Sequence, residues 1–155
     1  MVERGLKPVT RVLHQSVVPA TERVAEFLEI PVGTKVIDIQ RLRYINDEPI
    51  LVVTTYIPFD VYPPLATVDL TNRSLYDFLE KEGGIFITRG RRYIEAVLAN
   101  EPEALLLGVE RGAPLMMLDS VSFTESGQPI EYYHALHRGD RSRFEVDLVR
   151  QHDSI

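Results

Sequence analysis

The stretch that decides the fold is Val36-Ile37-Asp38-Ile39-Gln40-Arg41-Leu42-Arg43-Tyr44-Ile45, then Asn46-Asp47-Glu48-Pro49, then Ile50-Leu51-Val52-Val53-Thr54-Thr55-Tyr56-Ile57-Pro58-Phe59. Two runs rich in β-branched and aromatic residues flank a short polar turn, which predicts an antiparallel hairpin. If paired residues have numbers summing to 94, Val53 lies opposite Arg41 and Leu51 opposite Arg43.

Working outward, Arg11 to Val18 reads as a strand, and Thr21 caps a short helix through Leu28 that ends at Pro31-Val32-Gly33-Thr34. After the hairpin, Pro58, Pro63 and Pro64 break regular structure. Ser74 then opens a helix over Leu75 to Glu80 that stops at Gly83-Gly84. Ile85 to Ala99 reads as a long strand, and Asn100 caps a helix that Gly108 ends. Three more strands are expected: Leu115 to Thr124, Ile130 to Arg138, and Ser142 to Val149. In the last of these, Phe144, Val146 and Leu148 alternate with Arg143, Glu145 and Asp147. The fold class expected is α+β, a mainly antiparallel sheet with short helices. Residues 1–10 read as a linker remnant, 11–150 as one domain, and 151–155 as a tail.

The 155 residues are 45% hydrophobic and 26% charged, with 17 Lys+Arg against 23 Asp+Glu and a net charge of −6. A chain of this length buries roughly 70% of its unfolded surface, enough for a core without staples. It has no Cys, so thiol nucleophiles, thiolate metal sites and disulfides are excluded, which fits a reducing cytoplasm. No apolar run approaches the ~20 residues needed to span a bilayer. The acidic balance argues against a nucleic-acid surface on this domain, because phosphate affinity needs clustered cations.

The cations are 14 Arg and only 3 Lys, and Arg offers a planar fork matched to carboxylate and phosphate. Arg41 and Arg43, two apart on a strand, leave the same face as Ile37, Ile39 and Ile45. An inward-facing pair needs an anion, since an unpaired buried charge costs several kcal/mol. Neither Val53 nor Leu51 supplies one, so a bound anion is the expectation if this face is the inner one; solvated arginines are the alternative. Ser74, at a helix start, suits an anion or simply caps the helix. Tyr76, Arg89, Arg92, Tyr133 and His137 are further polar candidates, and Glu131 reads as a structural polar group. His134 and His137, three apart on a strand, point to opposite faces and cannot readily chelate together. No metal site, cofactor motif or acid/base constellation stands out.

These motifs together resemble the UTRA domain, the effector-binding half of HutC-type GntR transcriptional regulators. The resemblance spans residues 11–149. It rests on Thr21-Glu22-Arg23-Val24-Ala25, the Arg41-Leu42-Arg43 strand with Asp47-Glu48-Pro49-Ile50, Ser74-Leu75-Tyr76-Asp77-Phe78-Leu79-Glu80, and Ile94-Glu95-Ala96-Val97-Leu98-Ala99. It continues through Leu107-Gly108-Val109, Gly112-Ala113-Pro114-Leu115, Gly127-Gln128-Pro129-Ile130-Glu131-Tyr132 and Arg138-Gly139-Asp140-Arg141. It implies a chorismate-lyase-like fold and a non-catalytic sensor of a small anionic metabolite, a sugar phosphate or carboxylate. It further implies a homodimer, and DNA binding only through a winged helix-turn-helix that would precede Arg11. The effector-binding positions it implies are Arg41, Arg43, Ser74, Tyr76, Arg89 and His137. Val53 and His137 replace a Glu and a Tyr of members that recognise amino-sugar phosphates, which points away from that ligand. The rival readings are a small-carboxylate lyase-like enzyme on the same scaffold and a purely structural dimerisation module.

Overall fold

A computed structural model describes residues 6–150. Six antiparallel strands form one sheet in the order β1-β2-β3-β6-β5-β4. They are β1 (Pro8–Pro19), β2 (Lys35–Ile45), β3 (Glu48–Pro58), β4 (Arg89–Leu98), β5 (Pro114–Phe123) and β6 (Pro129–Arg138). Helices α1 (Glu22–Leu28), α2 (Leu75–Lys81) and α3 (Glu101–Leu107) lie between them, with short 3-10 turns at Phe59–Val61 and Pro63–Ala66.

The β2–β3 hairpin forms in the expected register, with Arg41 opposite Val53 and Arg43 opposite Leu51. Its turn places Asn46 at φ 50° and Asp47 at φ 66°, the left-handed pair that a tight hairpin needs and that these two residue types tolerate. A bulge opposite Arg43 and Tyr44 absorbs one extra residue, Ile50, on the β3 side just after the turn.

Both faces of the sheet are covered at its centre, so β2, β3, β5 and β6 bury residues of both parities. On one face α1 packs Val24, Ala25 and Leu28 against Val36, Val121, Phe123 and Tyr132, while α3 packs Ala104 and Leu107 against Leu42, Val52, Leu115 and Leu136. On the other face α2 and the 3-10 turns bury Leu75, Phe78, Leu79, Leu65 and Leu70 against Ile37, Ile39 and Ile57. Each such aliphatic burial contributes about 1.5–3 kcal/mol. The helices are only one to two turns long and depend on their caps. Thr21 accepts from the Val24 amide, Ser74 from the Asp77 amide, and Asn100 and Glu103 form a reciprocal capping box.

The structure departs from the sequence expectations at three places. The strand expected from Ile85 begins only at Arg89, because Ile85 to Ile87 lead in from α2 outside the ladder and Thr88 adds a single amide bond to the Phe123 carbonyl at 3.0 Å. Pro8, Val9 and Thr10, expected in a linker, pair with Ile45, Tyr44 and Arg43 in β1. Ser142 to Val149, expected as a strand, is extended chain without a ladder partner among the described residues. The tail at 151–155 and the first five residues lie outside the described residues.

Candidate functional site

Counting the ladder across the sheet shows which side chains meet beneath α2. One rung runs Arg43, Leu51, His137, Met116; the next runs Arg41, Val53, Ala135, Leu118; the next runs Ile39, Thr55, Tyr133, Ser120, Arg92. All of these positions share a face, because a rung preserves the side on which its residues stand. Val53 and Ala135 are small, so the middle rung leaves a hollow, beside which Ile37 and Ile39 pack against α2. The result is a cavity of about 330 Å³ bounded by Arg41, Arg43, Arg73, Ser74, Tyr76, Arg92, Glu131, Tyr133 and His137, with Thr10 at its edge.

Four guanidinium groups and one carboxyl line this cavity in a chain whose overall charge is −6. Arg41 donates from Nη1 to the Arg73 carbonyl at 3.0 Å, which ties the start of α2 to β2. Its Nε is buried and has no hydrogen-bond partner among the described residues. Burial, and then the neighbouring Arg43, lower the pKa of Arg41, while Glu131 and Tyr76 oppose them. Arg43 is more exposed and donates from Nε to the Thr10 hydroxyl at 3.4 Å. Arg92 reaches in from the edge strand, donating from Nη2 to the Tyr133 hydroxyl at 2.8 Å. Arg73 lays its guanidinium over Phe78, 4.7 Å from the ring centre.

Glu131 is fully buried, and its Oε1 accepts from the Tyr76 hydroxyl at 2.8 Å and the Ser122 hydroxyl at 2.9 Å. Burial pushes its pKa above the usual carboxylate range, against the two hydroxyl bonds and the charges of Arg41 and Arg92. Burial, together with Glu131, raises Tyr76 in turn. His137 is pushed down to about 4 by burial and by Arg92 and Arg43, so it is neutral at pH 7 and adds no charge to the four arginines.

Five of the six expected positions, Arg41, Arg43, Ser74, Tyr76 and His137, meet at this cavity. The sixth, Arg89, does not: its guanidinium lies 4.2 Å over the Phe123 ring, and Arg92 occupies the cavity instead. Arg89 and Arg92 are three apart and therefore leave opposite faces of β4, so only the strand's phase chooses between them. Arg73 and the buried Glu131 were missed as site residues. Glu131 shares the parity of Tyr133, Ala135 and His137 on β6, which is the signal that could have placed it. Ser74 spends its hydroxyl on the Asp77 amide, so it stands at the cavity first as a cap.

A larger hollow of about 720 Å³ lies on the other face, between α1 and the sheet. His134 faces it while His137 faces the first cavity, as their spacing requires. Four of its polar groups satisfy one another. Asp119 accepts from Arg23 and Tyr132 at 2.7 Å each and pairs with His134 at 2.9 Å. Burial raises the Asp119 pKa, but these bonds outweigh it and hold the carboxyl below its ordinary value. The first cavity is smaller yet chemically incomplete, which makes it the stronger candidate for a ligand.

Comparison with known proteins agrees with this fold. The family described as UTRA domain matches residues 3–143. The HTH-type transcriptional repressor NagR of Bacillus subtilis is 29% identical over 144 residues, 93% of this chain and 59% of the relative. The crystal structure of PhnF from Mycobacterium smegmatis superposes with a TM-score of 0.88 at 30% identity, covering 96% of this chain and 65% of that one. The C-terminal domain of Yurk from Bacillus subtilis gives 0.83 at 27% identity, covering 88% and 94%. The chain spans a little over half the length of the curated relatives it matches. It belongs to the UTRA domain family, the family of effector domains carried by GntR-type transcriptional regulators.

Proposed function

We propose that this domain binds a small anionic metabolite, a sugar phosphate or carboxylate, in the cavity beneath α2 and so modulates DNA binding by a longer regulator. The observation that carries the reading is the charge imbalance: four arginines face one partly neutralised carboxyl, and the buried Arg41 Nε–H points to no acceptor. A ligand oxygen there would add a charge-assisted bond, stronger than a neutral one by roughly a factor of two. Glu131, among the lining residues, offers an acceptor to a ligand hydroxyl, which suits a sugar phosphate better than a bare dicarboxylate. Val53, where an acidic side chain would have faced an ammonium, leaves the Arg41 rung apolar.

The binding is read as sensing, not catalysis, in keeping with relatives named as transcriptional repressors. The protein would work in the cytoplasm as a homodimer, and the ligand must prefer one of two domain arrangements to shift their populations. Calorimetric titration of inorganic phosphate, hexose phosphates and small carboxylates against wild type and Arg41→Ala/Arg43→Ala tests the site. Loss of binding in the double variant supports it. Equal affinity in both proteins for the tightest anion refutes it, and turnover of chorismate would favour the enzyme reading instead.

A further inference from the structure

The sheet face opposite the cavity beneath α2 has a gap between its two helices. α1 covers one end of that face at Val36, Val121 and Tyr132, and α3 covers the other at Leu42, Val52 and Leu136. The rung between them runs Gln40, Thr54, His134, Asp119, Tyr93 and carries no aliphatic side chain. The hollow of about 720 Å³ opens over the last four of these residues. Its volume is that of a small-molecule site, and it shares no lining residue with the first cavity.

Its wall on the α1 side is aromatic. Phe27 stacks on Tyr132 with ring centres 4.3 Å apart, Tyr56 stacks on Tyr132 at 5.7 Å, and Tyr93 meets Phe27 edge-on at 6.3 Å. Arg23 lies over Phe27, 5.5 Å from the ring centre, while donating to Asp119 and to the Tyr132 hydroxyl. The wall therefore already holds one cation by a ring face and a carboxylate together. Arg23 and Asp119 cancel in charge. Two carboxylates remain in the lining, Glu26 from α1 and Glu95 from β4, and among the described residues neither side chain has a hydrogen-bond or ion-pair partner. Tyr93, on the same face of β4 as Glu95, keeps half of its surface exposed. Arg91, the next cation along that face, turns its guanidinium over the Phe123 ring instead, at 5.8 Å. The balance is the reverse of the first cavity: three carboxyl groups face one guanidinium, beside ring faces that attract positive charge.

We propose that this hollow is a second binding site, for a small organic cation: an amine or guanidinium on an aliphatic or aromatic body, its charged end at Glu26 and Glu95 and its body against Tyr93 and Phe27. The site stands independently of the anion reading, because the residues that would hold the cation take no part in the first cavity. The two sites lie back to back on β6, which turns Tyr132 and His134 to this hollow and Glu131, Tyr133 and His137 to the other.

Calorimetric titration with agmatine and with tyramine tests the site, and N-acetyltyramine serves as an uncharged control carrying the same ring. The proteins are wild type, Glu26→Gln/Glu95→Gln and Arg41→Ala/Arg43→Ala. Both glutamates are exposed, so their amides should leave the fold intact, which circular dichroism checks. The expected result is saturable, sub-millimolar binding of at least one amine to wild type and none of N-acetyltyramine. The glutamine variant should bind that amine roughly ten-fold or more weakly, the loss of one charge-assisted bond, and the alanine variant should bind it as wild type does. Absence of saturable binding by either amine at millimolar concentration overturns the proposal. So does equal affinity in the glutamine variant, or binding abolished only in the alanine variant, which would place the amine in the first cavity.

Discussion

Replacing Arg41 with Met keeps the aliphatic stem against Val53 and removes the guanidinium. In the ligand-free protein that deletes one bond, Nη1 to the Arg73 carbonyl, and relieves one buried N–H without an acceptor. A bond donated by a guanidinium is worth about 1.5–3 kcal/mol and an orphaned buried donor costs about 1–3 kcal/mol, so the two nearly cancel. Glu131 keeps its hydroxyl donors, Tyr76 and Ser122. The expected change in ligand-free stability is within about 1 kcal/mol, or roughly 2–4 °C in melting temperature for a chain of this size. Ligand affinity behaves differently, because a hydrogen bond to a charged group is worth about 1.5–3 kcal/mol, roughly 10- to 150-fold in dissociation constant. Denaturant melts and calorimetry on the same preparations separate the two quantities. A loss of about 3 kcal/mol or more of ligand-free stability with unchanged affinity would show that Arg41 exists to neutralise Glu131 and would refute the binding role.

His137 titrates near 4 in the folded protein against an ordinary 6.5. Its contribution to stability is therefore complete above pH 6.5 and is lost as pH falls toward 4, by about 2 kcal/mol after allowing for its partial exposure; His137→Gln should flatten that part of the pH–stability curve. Folding raises the pKa of Glu131, so ionising it costs stability as pH rises beyond the ordinary carboxylate range. Glu131→Gln should accordingly gain on wild type between pH 5 and pH 8, and an identical difference at both values would contradict its burial as the cause. A Cβ on Gly139 would stand 2.7 Å from the Pro114 carbonyl oxygen, so Gly139→Ala should cost about 1–3 kcal/mol in a thermal melt, and a neutral outcome would show that the turn gives way easily.

The hairpin was legible because strand composition, turn residues and the face shared by the two arginines all pointed one way. The helix boundaries were legible from Thr21, Ser74 and Asn100, each of which accepts the amide bond its position calls for. The choice of Arg89 over Arg92 turned on the phase of β4, which depends on where the ladder with β5 begins, a tertiary fact that four extended residues before Arg89 conceal. Glu131 was undervalued because a lone acid in an aromatic run carries no local sign of the Tyr76 and Ser122 hydroxyls that turn toward it. Arg73 lies in the loop ahead of α2, where no periodicity assigns a face. For residues 142–149 the alternation was real, but alternation specifies a strand's faces and not its partner.

The most direct test of the cavity is a crystal structure of the chain with the tightest-binding phosphate ester found by titration. A phosphate oxygen is expected about 2.7–2.9 Å from Arg41 Nε, with Arg43 or Arg92 closing on the same group and a ligand hydroxyl directed at Glu131. Phosphate density outside the cavity, or an empty cavity in which Arg41 turns to bond Glu131 directly, would contradict it.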